Sequence, residues 1–146
     1  MAKYHQGKYK PKNPDKYVGN ANNIVYRSSW ELKAMIFFDN NPSILAWASE
    51  ECTIPYISAV DNRIHTYYVD FVIKYKKRDG SILTTLVEVK PKAQTQPPVQ
   101  PKRQTKQYLE AVETYVRNVS KWKAAKKYAE EKGMEFMILT EDHLKV

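Results

Sequence analysis

The element order that the sequence predicts is typical of an α/β protein with a mixed sheet flanked by helices. Two alternating segments rich in β-branched and aromatic residues, 67–76 and 82–90, predict two antiparallel strands joined by the turn at residues 78–80. Apolar residues at helical spacing precede this pair at residues 28–40 and follow it at residues 102–132. A last apolar strand comes after the second helical region, and a helical crossover makes such a strand parallel to its neighbour.

The composition predicts one domain that binds an anionic partner. The chain has 146 residues, a formal net charge of +8 and a pI of about 9.4. Nucleic acid is the partner that this charge favours, and a merely soluble basic protein is the alternative. Cys52 is the single cysteine, which excludes an intramolecular disulfide and a cysteine-based zinc site. No apolar run has transmembrane length and the first residues lack a signal-peptide core, so we expect a cytosolic protein or part of a particle assembled there.

Residues 1–23 are expected to form a basic, tyrosine-rich N-terminal arm that precedes a folded domain at residues 24–146. In this arm Tyr4, Tyr9 and Tyr17 lie among lysines, and no apolar period is visible. Tyrosines between lysines suit base stacking and phosphate contact. An arm that simply packs on the domain is an equally good interpretation.

The first helix is predicted to begin at Ser28 and to end near Asn40. Ser28 and Glu31 have the spacing of a capping box, in which each side chain bonds a backbone N–H of the first turn. Glu31, Met35 and Phe38 share one face of the helix, which is expected to look inward. Glu31 is therefore either a cap alone or a carboxylate that also reaches a functional site.

The turn of the central hairpin decides which side chains face each other. A three-residue loop that ends in a left-handed Gly80 places Asp70 opposite Glu88. The same register places Tyr68 opposite Lys90. A two-residue loop would shift the pairing by one and mix apolar and charged side chains on both faces. The apolar pattern therefore predicts the three-residue loop.

Asp70 and Glu88 would repel each other in this register. A divalent cation would relieve the repulsion, because hard cations bind carboxylate oxygens from more than one residue. Lys90 shares a face with Glu88 since side chains alternate along a strand. Two acids and a lysine around a hard cation can hydrolyse phosphodiesters, with the lysine orienting a water or stabilising negative charge. The alternative is a surface ion-pair cluster, which stabilises a fold by only about 0–1 kcal/mol.

A proline-rich loop is predicted at residues 91–103, beside the proposed site. Four prolines in this stretch exclude a helix or a central strand. The loop is either a passive linker or a mobile basic flap that touches substrate. Beyond it, we expect one helix from Lys102 to Asn118 and another that is capped by Ser120 and stopped by Gly133. Four lysines of the second helix are expected to form a solvated face, with phosphate contact as the alternative: Lys121, Lys123, Lys126 and Lys127.

An αβββαβ order with Asp70 and Glu88–Lys90 on adjacent strands resembles the PD-(D/E)xK nuclease superfamily, although Val69 stands where that motif has proline. A closer resemblance covers nearly the whole chain. It is carried by the motifs at residues 4–7, 9–14, 26–31, 88–92, 121–125 and 136–141. On these motifs the chain is similar to the head completion nucleases of myovirus-type tailed phages, which are themselves similar to TnsA-type endonucleases.

The resemblance implies a metal-dependent DNA endonuclease that uses Mg²⁺, with Mn²⁺ as a substitute. Asp70 and Glu88 would hold the metal with the backbone carbonyl of Val89. Lys90 would position or polarise the attacking water. Glu31 matches a helix-borne glutamate of that family and would hold a second ion or orient a ligand. Further DNA contacts are expected from Lys8, Lys10, Lys12, Arg27, His65, Lys92, Lys102 and Arg103.

The resemblance also implies a place in a virion. The expected location is the head-to-neck vertex of a particle assembled in the host cytoplasm. The expected partners are packaged double-stranded DNA ends and the portal, neck and other head-completion proteins, with no membrane. One alternative is a non-cleaving protein that seals or matures the portal vertex. Another is a basic RNA-binding module, against which the absence of an aromatic RNP-type motif counts.

Overall fold

The structure is a computed structural model that describes residues 6–144, so the prediction for Tyr4 lies outside the described residues. Its strands and α-helices in chain order are β1 (Gly7–Tyr9), β2 (Ile24–Tyr26), α1 (Ser29–Asn40), β3 (Ile44–Ser49), β4 (Thr53–Ile57), β5 (Ile64–Tyr68), β6 (Phe71–Lys76), β7 (Ile82–Val89), α2 (Lys106–Glu131), β8 (Glu135–Leu139) and α3 (Glu141–Leu144). A 3₁₀ helix at Lys92–Thr95 lies in the proline-rich stretch, between its first and second prolines, where no helix was predicted. Elements α1, β3, β6, β7, α2 and β8 form the predicted αβββαβ core. A hairpin of β4 and β5 is inserted between β3 and β6.

The central sheet has four strands in the order β3-β6-β7-β8. The first three strands are antiparallel, and β8 joins β7 in parallel, as predicted for a strand that follows a helical crossover. Strands β1 and β2 form one separate antiparallel pair, and β4 and β5 form another. The mixed sheet with helices on its faces confirms the predicted fold class. No helix within residues 6–144 is long and apolar enough to cross a bilayer.

Each face of the central sheet has its own apolar cluster. On one face α1 packs Phe38 edge-on against Phe71, with ring centroids 5.1 Å apart. On the other face α2 packs Ala125 against a cluster that contains Leu86 of β7. Because side chains alternate along a strand, Glu88 lies on the same α2-facing side as Leu86.

The hairpin of β6 and β7 has the predicted register. Phe71 pairs with Val87, and Lys76 pairs with Ile82 at the other end. The loop between them has three residues and ends in Gly80, whose φ of 90° suits glycine. A shorter turn would have moved every side chain to the other face.

The single long strand predicted before this turn is wrong. The chain leaves the central sheet at Asp70, and the residues before it form β5, which pairs with β4. Tyr68 therefore lies opposite Thr53 and not opposite Lys90. At the break, the backbone is bonded to the residue that follows β3: the carbonyl of Asp70 accepts a hydrogen bond from the N–H of Glu50 at 3.0 Å.

One continuous helix, α2, replaces the two helices predicted after the proline-rich loop. Its N-cap is Thr105, whose side chain accepts from the N–H of Tyr108 at 3.1 Å. Ser120, predicted as a second cap, lies inside the helix, and its hydroxyl donates to the carbonyl of Val116 at 3.0 Å. This back-bonding satisfies the serine without a helix end. Gly133, with a φ of 68°, follows the helix as predicted.

The described part of the N-terminal arm, residues 6–23, packs on the domain. The phenol of Tyr9 and the backbone N–H of Lys12 both donate to Oδ2 of Asp39, at 2.5 and 2.7 Å. Asp39 is 1 % exposed and lies at the end of α1. The ammonium of Lys16 donates to three carbonyl oxygens at that same end, at 2.7–2.9 Å. The arm therefore supplies hydrogen-bond donors to the carbonyl oxygens at the C-terminal end of α1, the helix that carries Glu31.

Candidate active site

Asp70 and Glu88 meet where β6 begins and β7 ends. Oδ2 of Asp70 accepts a hydrogen bond from the backbone N–H of Val89 at 2.8 Å. Glu88 is 5 % exposed, and its Oε1 accepts from the phenol of Tyr67. Burial, and then the charge of Glu88, raise the pKa of Asp70 well above its ordinary value. The two carboxylates therefore repel each other in a partly dehydrated site.

Lys90 follows β7 and reaches back to the acids. Its Nζ lies 3.5 Å from Oε2 of Glu88, and its backbone N–H donates to the carbonyl of Leu139 at 3.0 Å. The distance of 3.5 Å is longer than a direct hydrogen bond. The half-buried ammonium is therefore close enough to balance Glu88 and free enough to turn toward a phosphate or a water.

Glu31 is both part of the helix start and close to the acids. The hydroxyl of Ser28 accepts from the N–H of Glu31 at 3.0 Å, which confirms the predicted N-cap. A capping box predicts that the carboxylate of Glu31 accepts from the N–H of Ser28. It accepts instead from the N–H of the preceding residue, Arg27, at 3.3 Å. Burial raises the pKa of Glu31, the Arg27 hydrogen bond lowers it, and the charges of Glu50 and Glu88 raise it further. The carboxylate thus lies within the electrostatic field of the site.

An ion pair joins the start of α1 to the end of β3. Nη1 of Arg27 lies 2.5 Å from Oε2 of Glu50, and this contact raises the pKa of the guanidinium. Glu50 has a φ of 55°, an uncommon value for a residue with a side chain. Its N–H donates to the carbonyl of Asp70, as described above. The pair therefore connects the helix that carries Glu31 with the backbone of Asp70.

Sequence reasoning missed Tyr67 as a partner of Glu88. Burial and the neighbouring Glu88 raise the pKa of the Tyr67 phenol, which keeps its proton available for the hydrogen bond. The sequence also did not separate Lys121 from the lysines around it. Lys121 precedes the buried Ala125 and Ala129 by four and eight residues, and this spacing was the signal that could have identified an inward-facing lysine.

The residues predicted to contact DNA fall into two groups. Three of them lie in ion pairs: Arg27 with Glu50, His65 with Asp61 at 2.8 Å, and Lys92 with Asp142 at 3.3 Å. The other five are exposed and make no ion pair with any residue between 6 and 144: Lys8, Lys10, Lys12, Lys102 and Arg103. Arg27, beside Glu31, is the member of the set that lies at the candidate site.

The acids fit a magnesium ion by their donor chemistry. No group of three His, Cys, Asp or Glu side chains among the described residues forms a ready-made metal site. Mg²⁺ is usually held by one or two carboxylates together with waters and substrate phosphates, so such a group is not required. Oδ2 of Asp70 accepts from the N–H of Val89, and Oε2 of Glu88 lies 3.5 Å from the ammonium of Lys90. Asp70 and Glu88 therefore supply the oxygen donors that this ion prefers.

Two comparisons with known proteins identify the family of the chain. Residues 41–141 match the family described as TnsA-like endonuclease, N terminal, and this region contains Asp70, Glu88 and Lys90. The chain is also 41% identical over 145 residues to the head completion nuclease of Enterobacteria phage T4, across 97% of this chain and 94% of that protein. These matches confirm the resemblance seen in the motifs. The chain therefore belongs to the TnsA-like endonuclease family and is a homologue of a phage head completion nuclease.

Proposed function

We propose that this protein is a metal-dependent DNA endonuclease that acts on packaged double-stranded DNA ends while a phage head is completed. The observation that carries the proposal is the pair of adjacent carboxylates, Asp70 and Glu88, with the ammonium of Lys90 3.5 Å from Glu88. The net charge of +8 supports DNA as the substrate. The name of the T4 relative, head completion nuclease, supports a role in completing a phage head. We place this role at the head-to-neck vertex of a virion assembled in the host cytoplasm.

Each residue of the site has its own role in the proposed reaction. Asp70 and Glu88, with the backbone carbonyl of Val89, would hold Mg²⁺ or, as a substitute, Mn²⁺. The bound ion would supply Lewis acidity toward the phosphate and an attacking water. Lys90 orients that water or stabilises the negative charge that develops on the phosphate. Glu31 orients a ligand or helps to hold a second ion.

Two neighbouring groups keep the carboxylates in place. The phenol of Tyr67 fixes Oε1 of Glu88, and the N–H of Val89 fixes Oδ2 of Asp70. The exposed cations outside the site bind DNA phosphates in a salt-dependent manner. Docking on the portal, neck and other head-completion proteins places the site at a DNA end.

A cleavage assay with purified protein tests this function. Linear and circular duplex DNA are incubated with Mg²⁺, with Mn²⁺ or with a chelator, and cleavage is expected with either metal and not with the chelator. Lys90→Ala should cut about 10²–10³-fold more slowly, because one group that stabilises transition-state charge is lost. Its circular dichroism and DNA binding should stay close to wild type. Lys74→Ala, an exposed lysine of the same hairpin, is the control and should cut normally.

Two results together would overturn the enzymatic function. The wild-type protein would cut no DNA with either metal, and phage that carry Lys90→Ala would still build infectious heads. The protein would then be a structural component that seals or matures the portal vertex. Metal-independent cleavage would instead reject the role of Asp70 and Glu88 as metal ligands.

A further inference from the structure

One lysine of α2 faces the candidate active site. Lys121 is half-buried, whereas Lys123, Lys126 and Lys127 are exposed. Its Nζ lies 5.7 Å from the centroid of the Tyr67 ring. The phenol of that same tyrosine donates to Oε1 of a carboxylate in the site, as described above. The helix therefore places a second ammonium, in addition to that of Lys90, beside the tyrosine that orients a carboxylate of the site.

The ammonium of Lys121 makes no ion pair within the described part of the chain. No carboxylate of residues 6–144 lies within ion-pair distance of its Nζ, although Nζ of Lys90 is 3.5 Å from Glu88. Burial lowers the pKa of Lys121, the charge of Glu88 raises it, and the charge of Lys90 lowers it again. The side chain therefore lies in the field of the site but pairs with none of its acids. A partly dehydrated cation without a partner is costly unless an anion binds beside it.

Lys90 and Lys121 are related to different oxygens of Glu88. Oε2 of the glutamate faces Lys90, and Oε1 faces Tyr67, on whose ring Lys121 lies. Backbone phosphates of DNA are the anions that the proposed reaction brings to this position. A lysine ammonium binds a phosphate as a point charge and needs no fixed geometry.

We propose that Lys121 is the second cation of the active site and that it binds a backbone phosphate of the DNA strand that is cleaved. This inference rests on the proposed function of the same site and adds a substrate-binding residue to it. The competing explanation is that Lys121 only covers the Tyr67 ring by a cation–π contact. The two explanations differ in what happens to DNA binding when the charge is removed and the stem is kept.

The test compares Lys121→Met with Lys123→Met. Methionine keeps an unbranched apolar stem for the Tyr67 ring and removes the charge. Position 123 lies about 200° further around the helix, on the exposed side, and serves as the matched control. Affinity for duplex DNA is measured over a range of salt concentrations in chelator, so that no cleavage is needed.

For Lys121→Met, the slope of log affinity against log salt should fall in magnitude by about 0.9, the value for one lost phosphate contact. For Lys123→Met the slope should match wild type, and Lys121→Arg should restore it. With Mg²⁺, single-turnover cleavage by Lys121→Met should slow by on the order of 10²-fold.

An unchanged slope in Lys121→Met would overturn the inference, whether or not cleavage slows, and would leave Lys121 as a packing partner of Tyr67. An equal loss of slope in Lys123→Met would overturn it too, because any lysine of the helix would then serve. If wild-type protein cuts no DNA, that result counts against the proposed function, and the salt slope still decides whether Lys121 binds phosphate.

Discussion

Tyr67 donates a hydrogen bond to Glu88 from a strand that belongs to a different sheet. Both side chains are almost fully buried, at 3 % and 5 % exposed. The tyrosine lies on β5 of the inserted hairpin, which packs on α2, and the glutamate lies near the end of β7. The inserted hairpin therefore orients a carboxylate of the candidate active site, in addition to its share of the apolar cluster.

Tyr67→Phe should weaken metal use without unfolding the protein. Phenylalanine keeps the ring and removes the donor that orients Glu88. Loss of such a supporting group typically costs 10–100-fold in metal affinity or activity. We expect the Mg²⁺ concentration for half-maximal cleavage to rise by about this factor. Tyr56→Phe, a buried tyrosine on the neighbouring strand, is the control. An unchanged Mg²⁺ requirement in Tyr67→Phe would show that its hydroxyl does not support the site.

The role of Tyr67 shows where the sequence stops being informative. The register of β6 and β7 was predictable, because apolar alternation and Gly80 agree on one pairing. The break at Asp70 was not, since the alternating segment at residues 67–76 runs across it while the hydrogen-bond partners change. Only the fold shows that Tyr67, which precedes the break, donates a hydrogen bond to Glu88.

The helix end predicted at Ser120 is a second feature that the local sequence does not determine. Ser120 fits both a cap and a helix interior, and its local sequence does not decide between them. The acids and Lys90 were predictable because their types and spacing follow from the chemistry of a hard cation. Tyr67 was not, because a contact between distant elements placed it at the site. The spacing of Lys121 from the buried Ala125 and Ala129 indicates that it faces inward, but not that it faces Tyr67.

Asp70→Asn should leave the metal-free protein at least as stable as wild type at pH 7. The pKa of Asp70 is raised in the folded state by burial and by Glu88, so the charged form opposes folding. This destabilisation is absent below the unfolded pKa, grows as the pH rises toward the folded pKa and is constant above it. Asparagine keeps an oxygen that accepts from Val89 and removes the charge.

Thermal melts in chelator measure this effect over a pH series. The difference between the Tm of Asp70→Asn and that of wild type should be largest at neutral pH and should shrink in acid. Adding Mg²⁺ should raise the Tm of wild type through linkage and raise that of Asp70→Asn less. A clearly lower metal-free Tm in Asp70→Asn at pH 7 would argue against repulsion between the two carboxylates.

Glu31→Gln separates the cap from the site. Glutamine can accept from the N–H of Arg27 as glutamate does, so the free energy of unfolding should change by less than about 0.5 kcal/mol. Cleavage should fall, because the carboxylate charge near the site is gone. The pair of measurements is chemical denaturation and initial cleavage rate. Full activity in this variant would restrict Glu31 to its role at the helix start.

Asp39→Asn tests whether the arm is an integral part of the fold. Burial alone would raise the pKa of Asp39, but hydrogen bonds from Tyr9, Lys12 and Asn13 outweigh it and hold the pKa below its ordinary value. A depressed pKa stabilises the folded state at pH values above the unfolded pKa of about 3.9. This stabilisation is lost as the pH falls through the folded pKa. Asparagine would turn an N–H₂ group toward a donor, at a cost of about 1–3 kcal/mol at pH 7.

The difference in unfolding free energy between wild type and Asp39→Asn should therefore be constant from about pH 7 to pH 5 and should shrink below about pH 4. Urea denaturation at pH 7, 5 and 3 measures it. Asp15→Asn, which changes an exposed acid of the same arm, should follow wild type at every pH. A stable Asp39→Asn variant at pH 7 would mean that the arm holds to α1 without this carboxylate. Because the same contacts secure the far end of the helix that carries Glu31, a destabilised variant should also cut DNA more slowly near its melting temperature.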